Sequence, residues 1–256
     1  MRAQDLFDVS GETALVTGAG RGIGLAMAQS LADNGAQVAL ADKDMERAEV
    51  SARSIRDNGG RALAISLDVS KPDAIEEAYS RVEAELGPVS VLINNAGVAH
   101  RDKATRLAPE TLRKVLAVNV EGAVMMAQEA ARRMIRDARS GSIINISSIL
   151  SEIPIRQVAA YGASKAAISQ LTRSLALEWA KHDIRVNEIR PGWFETGLTD
   201  PFLKGPGAKV MAGQNPTGRL GGGHDLDGAV LLLASKAGRY MTGTAITVDG
   251  GHSLGR

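Results

Sequence analysis

Residues 13–32 read TALVTGAGRGIGLAMAQSLA. TALVT is a short apolar run of the kind that forms a buried strand. Four glycines then fall within seven residues, at 18, 20, 22 and 24. GLAMAQSLA continues as a helix. The stretch is therefore strand, turn, helix. A helix start offers unpaired N–H groups and the positive end of a dipole, so it suits a phosphate. Small residues let the backbone approach a pyrophosphate closely. The spacing is Gly18-x-x-x-Gly22-x-Gly24, because a G-x-G-x-x-G pattern would need its third glycine at Ile23. No Gly-Lys-Ser/Thr follows, which excludes a nucleoside-triphosphate P-loop.

The same alternation runs outward from this unit. QVALA (37–41), RALAISL (61–67), VSVLI (89–93), GSIINI (141–146), IRVNEI (184–189) and TAITV (244–248) read as further strands. Helical patterns fall at 24–35, 44–60, 71–87, 108–135, 160–180 and 225–235. Gly35, Gly59 and Gly87 close three of them, as helix stop signals do. Repeated βα alternation predicts an α/β, Rossmann-like, doubly wound parallel sheet of about seven strands with helices on both faces. One domain is expected over 1–256, with the Gly- and Pro-rich stretch 192–223 as a substrate-binding loop region.

Composition narrows the function. The chain has 256 residues, 44% apolar, with 3% aromatic, so aliphatic side chains must fill the core. Thirty basic and 29 acidic residues leave a net charge of +1, and no basic block points to nucleic acid. There is no cysteine, which excludes thiolate chemistry and disulfides and fits a cytoplasmic setting. The N-terminus carries acids and reads as no signal peptide. GAVLLLA is too short to span a bilayer. The four histidines show no metal-ligand spacing.

The chemistry concentrates in AYGASKAAISQLTRSLALEWA, residues 160–180. Tyr161 and Lys165 lie four apart, hence on one helix face. A nearby ammonium favours the phenolate, so Lys165 is expected to lower the Tyr161 pKa and make it a general acid/base. Ser147 and Ser148 are adjacent at a strand end and point to opposite sides. Asp42 ends the second strand, where an acid accepts from a ribose 2′-hydroxyl and repels a 2′-phosphate. That favours NAD over NADP, with Arg21 and Lys43 as nearby cations that oppose the preference. Asp42 also reads as a turn residue before the next helix, for which Asp44 is available as N-cap.

Taken in order, TGAGRGIG at 17–24, NNAG at 94–97, Asn119, Ser148, Tyr161-x-x-x-Lys165, Pro191-Gly192 with Thr196, and Asp249-Gly250-Gly251 resemble the short-chain dehydrogenase/reductase family over essentially the whole chain. The resemblance implies an oxidoreductase that interconverts a secondary alcohol and a ketone by hydride transfer. It implies Asn119, Ser148, Tyr161 and Lys165 as catalytic residues, with a water relay through Asn119 and Lys165. The thirteen-residue spacing to Tyr161 selects Ser148, leaving Ser147 a structural hydrogen bond. The implied cofactor contacts are Gly18, Arg21, Gly22, Ile23, Gly24, Asp42, Asp68, Val69, Asn95, Ala96, Gly97, Tyr161, Lys165, Ile189, Pro191, Gly192, Phe194 and Thr196. Ser148, Leu150, Tyr161 and Trp193 would meet the substrate, beside Ile149, Ile153, Ile155, Phe202 and Met211. Glu152, Arg156, Lys204 and His100 are available to orient polar groups.

This sequence departs from the family pattern in places. Phe194 is larger than the usual Ile or Val. Glu188 and Arg190 replace small residues, and Gly222-Gly223-His224 replaces Pro-Glu. The expected substrate is a sugar acid, polyol, cyclic alcohol or similar small hydroxy compound. An NADP-dependent 3-oxoacyl thioester reductase is the alternative, and a catalytically silent dinucleotide sensor the least favoured reading. The family also implies a homotetramer built through residues 119–135, the Tyr161 helix and residues 244–256.

Overall fold

The computed structural model describes residues 2–195 and 206–255. Seven strands form one sheet: β1 (Thr13–Thr17), β2 (Gln37–Asp42), β3 (Arg61–Ser66), β4 (Val91–Asn94), β5 (Gly141–Ile146), β6 (Ile184–Pro191) and β7 (Ala245–Val248). All neighbours are parallel, in the order β3-β2-β1-β4-β5-β6-β7. The expected doubly wound α/β architecture is therefore present. The helices are α1 (Ala3–Phe7), α2 (Gly22–Asp33), α3 (Met45–Asp57), α4 (Asp73–Leu86), α5 (Pro109–Leu116), α6 (Ala123–Arg136), α7 (Ala159–Trp179), α8 (Pro206–Gly213) and α9 (Asp227–Ala234).

Strand alternation explains the two-sided core. Side chains leave a strand on opposite faces in turn, and helices cover both faces here, so most strand positions are apolar and the polar ones must find partners. Val16, Ile93, Ile144 and Ile189 pack under Met27 and Leu31 of α2, Ile55 of α3 and Leu233 of α9. Their neighbours Leu15, Leu92, Ile143 and Val186 pack on the other face with Val82 of α4 and Met126 and Met134 of α6. Direction reverses between β1 and β4, which opens a crevice at the carboxyl ends of the strands.

The segment 108–135 is not the continuous α-helix that its pattern predicts. A π turn over Ala117–Gly122 separates α5 from α6. Such a turn inserts an extra residue and re-aims a side chain, often at functional sites. Here it holds Asn119 inside the protein, 2% exposed. Gly122 lies against Val69, whose side chain and carbonyl leave no room for a Cβ. At the head of α3, Asp44 caps the helix by accepting from the Arg47 N–H at 3.2 Å.

One charged clamp crosses this largely aliphatic core. Tyr79 is fully buried, and its hydroxyl donates to the Met126 carbonyl at 2.9 Å. The Arg133 guanidinium lies 5.5 Å from that ring centroid and bonds Glu129 at 2.7 Å, Glu83 at 2.6 Å and the Ser80 hydroxyl at 3.1 Å. It joins α6 to α4. Removing one partner strands the two carboxylates in a nearly dry site. We expect Arg133→Met to lower unfolding free energy by about 3 kcal/mol in urea titration. A loss below about 1 kcal/mol would show that the clamp is screened like a surface pair.

Candidate active site

The crevice is a cleft of about 590 Å³ along the carboxyl ends of β1, β2, β4 and β5. Its wall begins with the glycine turn. Gly18 and Gly22 adopt positive φ, +64° and +62°, a backbone conformation that side chains disfavour. Gly24 faces the Gly18 carbonyl and the Asn95 amide so closely that a Cβ would overlap both. No side chain caps the first turn of α2. Its N–H groups therefore stand open beside a cleft lined by Gly18, Arg21, Gly22, Ile23 and Gly24. That cradle fits the pyrophosphate of a dinucleotide.

The opposite wall comes from β4. The Thr17 hydroxyl accepts from the backbone N–H groups of Asn95 and Ala96, both at 3.0 Å. The Asn95 amide donates back to the carbonyls of Thr17 at 2.9 Å and Gly18 at 3.0 Å. Ala96 and Gly97 then line the cleft, as do Asp68 and Val69 from the end of β3. Asp68 accepts from the Ser70 hydroxyl at 2.7 Å, and this bond holds its carboxyl below the usual range.

The catalytic candidates meet at the floor. Ser148, Tyr161 and Lys165 all line the cleft. The Tyr161 phenol and the Ser148 hydroxyl share the cleft, and Ser148 favours the ionised phenol. Ser148 also heads a short 3-10 turn, its oxygen accepting from the Leu150 N–H at 3.1 Å. Ser147 faces inward, where its hydroxyl meets the Ser169 hydroxyl at 3.2 Å. Lys165 is 5% exposed and donates to the Ile146 carbonyl at 2.7 Å. Its Nζ lies 5.6 Å from the Tyr161 ring centroid.

Electrostatically the pair differs from the sequence expectation. Burial pushes the Tyr161 phenol up to about 12, against a lowering by the Ser148 hydrogen bond. Burial pushes the Lys165 ammonium down to about 8, against a raising by the Glu188 carboxylate. Desolvation outweighs the mutual attraction that helix spacing alone predicts. At neutral pH the phenol is a proton donor and the lysine still carries its charge.

Asn119 does not reach into the cleft. Its carbonyl oxygen accepts from the Val98 N–H at 2.8 Å, and its amide donates to the Val98 carbonyl and the Ser164 hydroxyl, both at 3.0 Å. The side chain braces the loop after β4 against α7, and both amide hydrogens are used. Asp42 is likewise committed locally. One carboxylate oxygen accepts from Gly20 N–H and the other from Asp44 N–H, each at 3.0 Å. This stitch between the glycine turn and the head of α3 weakens the case for NAD over NADP. Lys43 and Arg47 line the same end of the cleft. Arg47 was not singled out in the sequence, although it sits one helical turn beyond Asp44, with which it pairs at 2.9 Å.

The substrate side is less complete. Pro191, Gly192 and Phe194 line the cleft, whereas Leu150 and Trp193 lie outside that lining. The Trp193 indole N–H donates to His252 Nε2 at 3.2 Å. Thr196, Phe202 and Lys204 lie outside the described residues. The large Phe194 is accommodated by Gly221, where a Cβ would meet its ring at 2.8 Å. Gly223 packs as closely on Ala26. Gly221 thus makes room for the bulky Phe194, and Gly223, at one of the departures from the family pattern, makes room for α2. Among the described residues no cluster of His, Asp or Glu has metal-binding geometry. No described helix is long and apolar enough to cross a membrane.

Comparison with known proteins agrees with this cleft. Residues 18–253 match the short-chain alcohol dehydrogenase-type family described as enoyl-(acyl carrier protein) reductase. The chain belongs to the short-chain dehydrogenase/reductase family. It is 35% identical to a 5-keto-D-gluconate 5-reductase of Escherichia coli (strain K12) over 96% of this chain and 97% of that one. It is 38% identical to a 2-dehydro-3-deoxy-D-gluconate 5-dehydrogenase of Bacillus subtilis (strain 168) over 96% of each. A gluconate 5-dehydrogenase from Burkholderia cenocepacia, solved with NADP and tartrate, superimposes with a TM-score of 0.94 at 36% identity, covering 99% of both chains. This member of the family is an oxidoreductase that interconverts alcohols and ketones with a nicotinamide dinucleotide.

The cradle makes a direct prediction. Gly24→Ala places a methyl group against a backbone carbonyl and the Asn95 amide. Overpacking of this kind should weaken coenzyme binding at least ~10-fold by calorimetric titration while the protein stays folded. Unchanged affinity would mean that the dinucleotide does not use this turn.

Proposed function

We propose that this enzyme reduces the ketone of a small sugar acid of the keto-gluconate type, and oxidises the corresponding alcohol in reverse. The meeting of Ser148, Tyr161 and a buried Lys165 in one cleft, with the lysine Nζ 5.6 Å from the Tyr161 ring centroid, carries the reading. The relatives named above act on gluconate derivatives. Nicotinamide dinucleotide, when bound, supplies the hydride donor or acceptor. The two hydroxyls hold the substrate oxygen. Ser148 stabilises negative charge as it develops there. Tyr161, protonated at neutral pH, gives its proton to that oxygen. Lys165 keeps a positive charge near the phenol as the proton leaves. Asn119 acts by bracing Ser164 and Val98, and Pro191, Gly192 and Phe194 border the substrate.

NADP(H) is our preferred coenzyme. The bound NADP of the Burkholderia relative supports it, together with Arg21, Lys43 and Arg47 around the Asp42 end of the cleft. We also propose a homotetramer. A groove between α6 and α7 is lined by Val124, Ala131, Ile135, Leu175 and Trp179 together with Gln128, Arg132 and Glu178, and leaves Ile135 40% exposed. An apolar face of this kind suits a symmetric closed assembly. The setting is cytoplasmic.

The test is reduction of 5-keto-D-gluconate, followed with NADPH and NADH, beside a 3-oxoacyl thioester. We expect the sugar acid and NADPH to give the higher kcat/KM. Tyr161→Phe should lower turnover at least ~10²-fold while coenzyme binding is kept. Ser148→Ala should also cost ~10²-fold, and Ser147→Ala far less. Preference for the thioester would replace the substrate reading. A Tyr161→Phe enzyme retaining a tenth of its turnover would remove the proton donor.

A further inference from the structure

Two charged residues lie buried beneath the catalytic helix, and no step above uses them. Glu188 and Arg190 stand two apart on β6, so they share the face covered by α7. Glu188 is 2% exposed and Arg190 8%. Arg190 Nε and Nη2 donate to one Glu188 oxygen at 2.8 and 2.6 Å. The other Glu188 oxygen accepts from the Ser169 hydroxyl at 2.7 Å. Ser169 lies one helical turn after Lys165, and its hydroxyl meets that of Ser147, which reaches the Lys165 carbonyl at 3.5 Å. The remaining arm of Arg190 pairs with Glu152, directly after the turn headed by Ser148. The network therefore ties α7, β6 and the Ser148 turn together.

Such a network is an unusual way to fill the space. A buried pair is often no more stabilising than apolar residues of equal volume, whereas half of one is strongly destabilising. Its distinctive property is charge. Glu188 acts on the Lys165 ammonium and opposes the effect of burial. Few other charges face Lys165. Tyr161 shares its helix, and Lys114 of α5 lines the opposite side of the cleft. Glu110 and Arg113 of α5 are exposed and lie 3.7 Å apart, and Glu121 of the π turn is exposed. Strands β5 and β7, GSIINI and AITV, carry no charged residue. Asp249, past β7, is bonded to Gly251 and Ser253.

We propose that the Glu188–Arg190 pair is a positioning device whose charge balance sets the proton occupancy of Lys165 and, through Tyr161, the pH range of the reaction. The inference rests on the Tyr161–Lys165 reading for its consequence in turnover. Removing the carboxylate disfavours the protonated form of both Lys165 and Tyr161, and removing the guanidinium favours it. The two single changes should therefore move the site in opposite directions. A purely structural role would move stability alone.

The test reads Lys165 without turnover. The Cε resonance of isotope-labelled lysine, assigned by its loss in Lys165→Met, is followed against pH in the full-length protein. The wild-type midpoint should lie at about 8. Glu188→Gln should lower it by on the order of one pH unit and Arg190→Gln raise it by a similar amount. The double variant should return to within about half a unit of wild type, and Arg190→Lys should stay there, because charge is kept. Glu152→Gln, whose side chain is 60% exposed, should fold in any case and give a smaller lowering at low salt. The kcat pH profile should move with each midpoint. Midpoints that all coincide with wild type, or single variants that shift the same way, would overturn the proposal. Shifted midpoints with an unmoved kcat profile would instead count against the Tyr161–Lys165 reading.

Discussion

The joint between Thr17 and Asn95 is the constraint to which the rest of the cleft is referred. β1 and β4 are central neighbours, and their chains leave toward opposite faces of the sheet. At that parting, backbone groups lose their ladder partners and must find others or water. The Thr17 hydroxyl takes two N–H groups from the β4 side, and the Asn95 amide returns two bonds to β1. The crevice is thus held open by satisfied polar groups on both lips. The closeness of the Gly24 backbone to that amide fixes where α2 begins. The cradle for phosphate is a consequence of this packing.

A second polar layer lies under α7. Asn94 bonds Asn145 at 3.0 Å, and Asn145 bonds the Thr172 hydroxyl at 2.9 Å. Ser147, Ser169, Glu188 and Arg190 continue the row toward the mouth. Apart from the buried Asn94 carbonyl oxygen the named groups are partnered, and a partnered set admits few alternative arrangements. This layer locates α7 to within hydrogen-bond geometry. An aliphatic interface would allow it to slide. Burial beside this layer penalises charge, which is why Lys165 and Tyr161 depart from their ordinary proton affinities.

Much of this was legible in the sequence, for identifiable reasons. The apolar strand runs, the glycine turn and the closing glycines of helices report local backbone demands, and local demands survive without an alignment. The pairing of Tyr161 with Lys165 followed from a helix period, and the choice of Ser148 beside them from the family resemblance. Other features depend on partners distant in the chain. Helix spacing predicted that Lys165 would lower the Tyr161 pKa, but burial, which spacing cannot report, dominates. Asp42 looked available to a ribose until its two backbone partners were located. The π turn at Asn119 has no marker in a sequence whose apolar pattern runs on smoothly. Phe194 is a departure that makes sense only beside Gly221.

In the proposed reaction Tyr161 protonates the substrate oxygen, and bound nicotinamide dinucleotide would supply the hydride for the carbon. The most direct measurement is isotope tracing during reduction of 5-keto-D-gluconate, with coenzyme deuterated at its transferable position. Mass spectrometry of the product should find deuterium bound to the new carbinol carbon. In deuterated solvent with ordinary coenzyme, label should appear only at exchangeable hydroxyls. Carbon-bound deuterium drawn from solvent, with none from the coenzyme, would contradict the account.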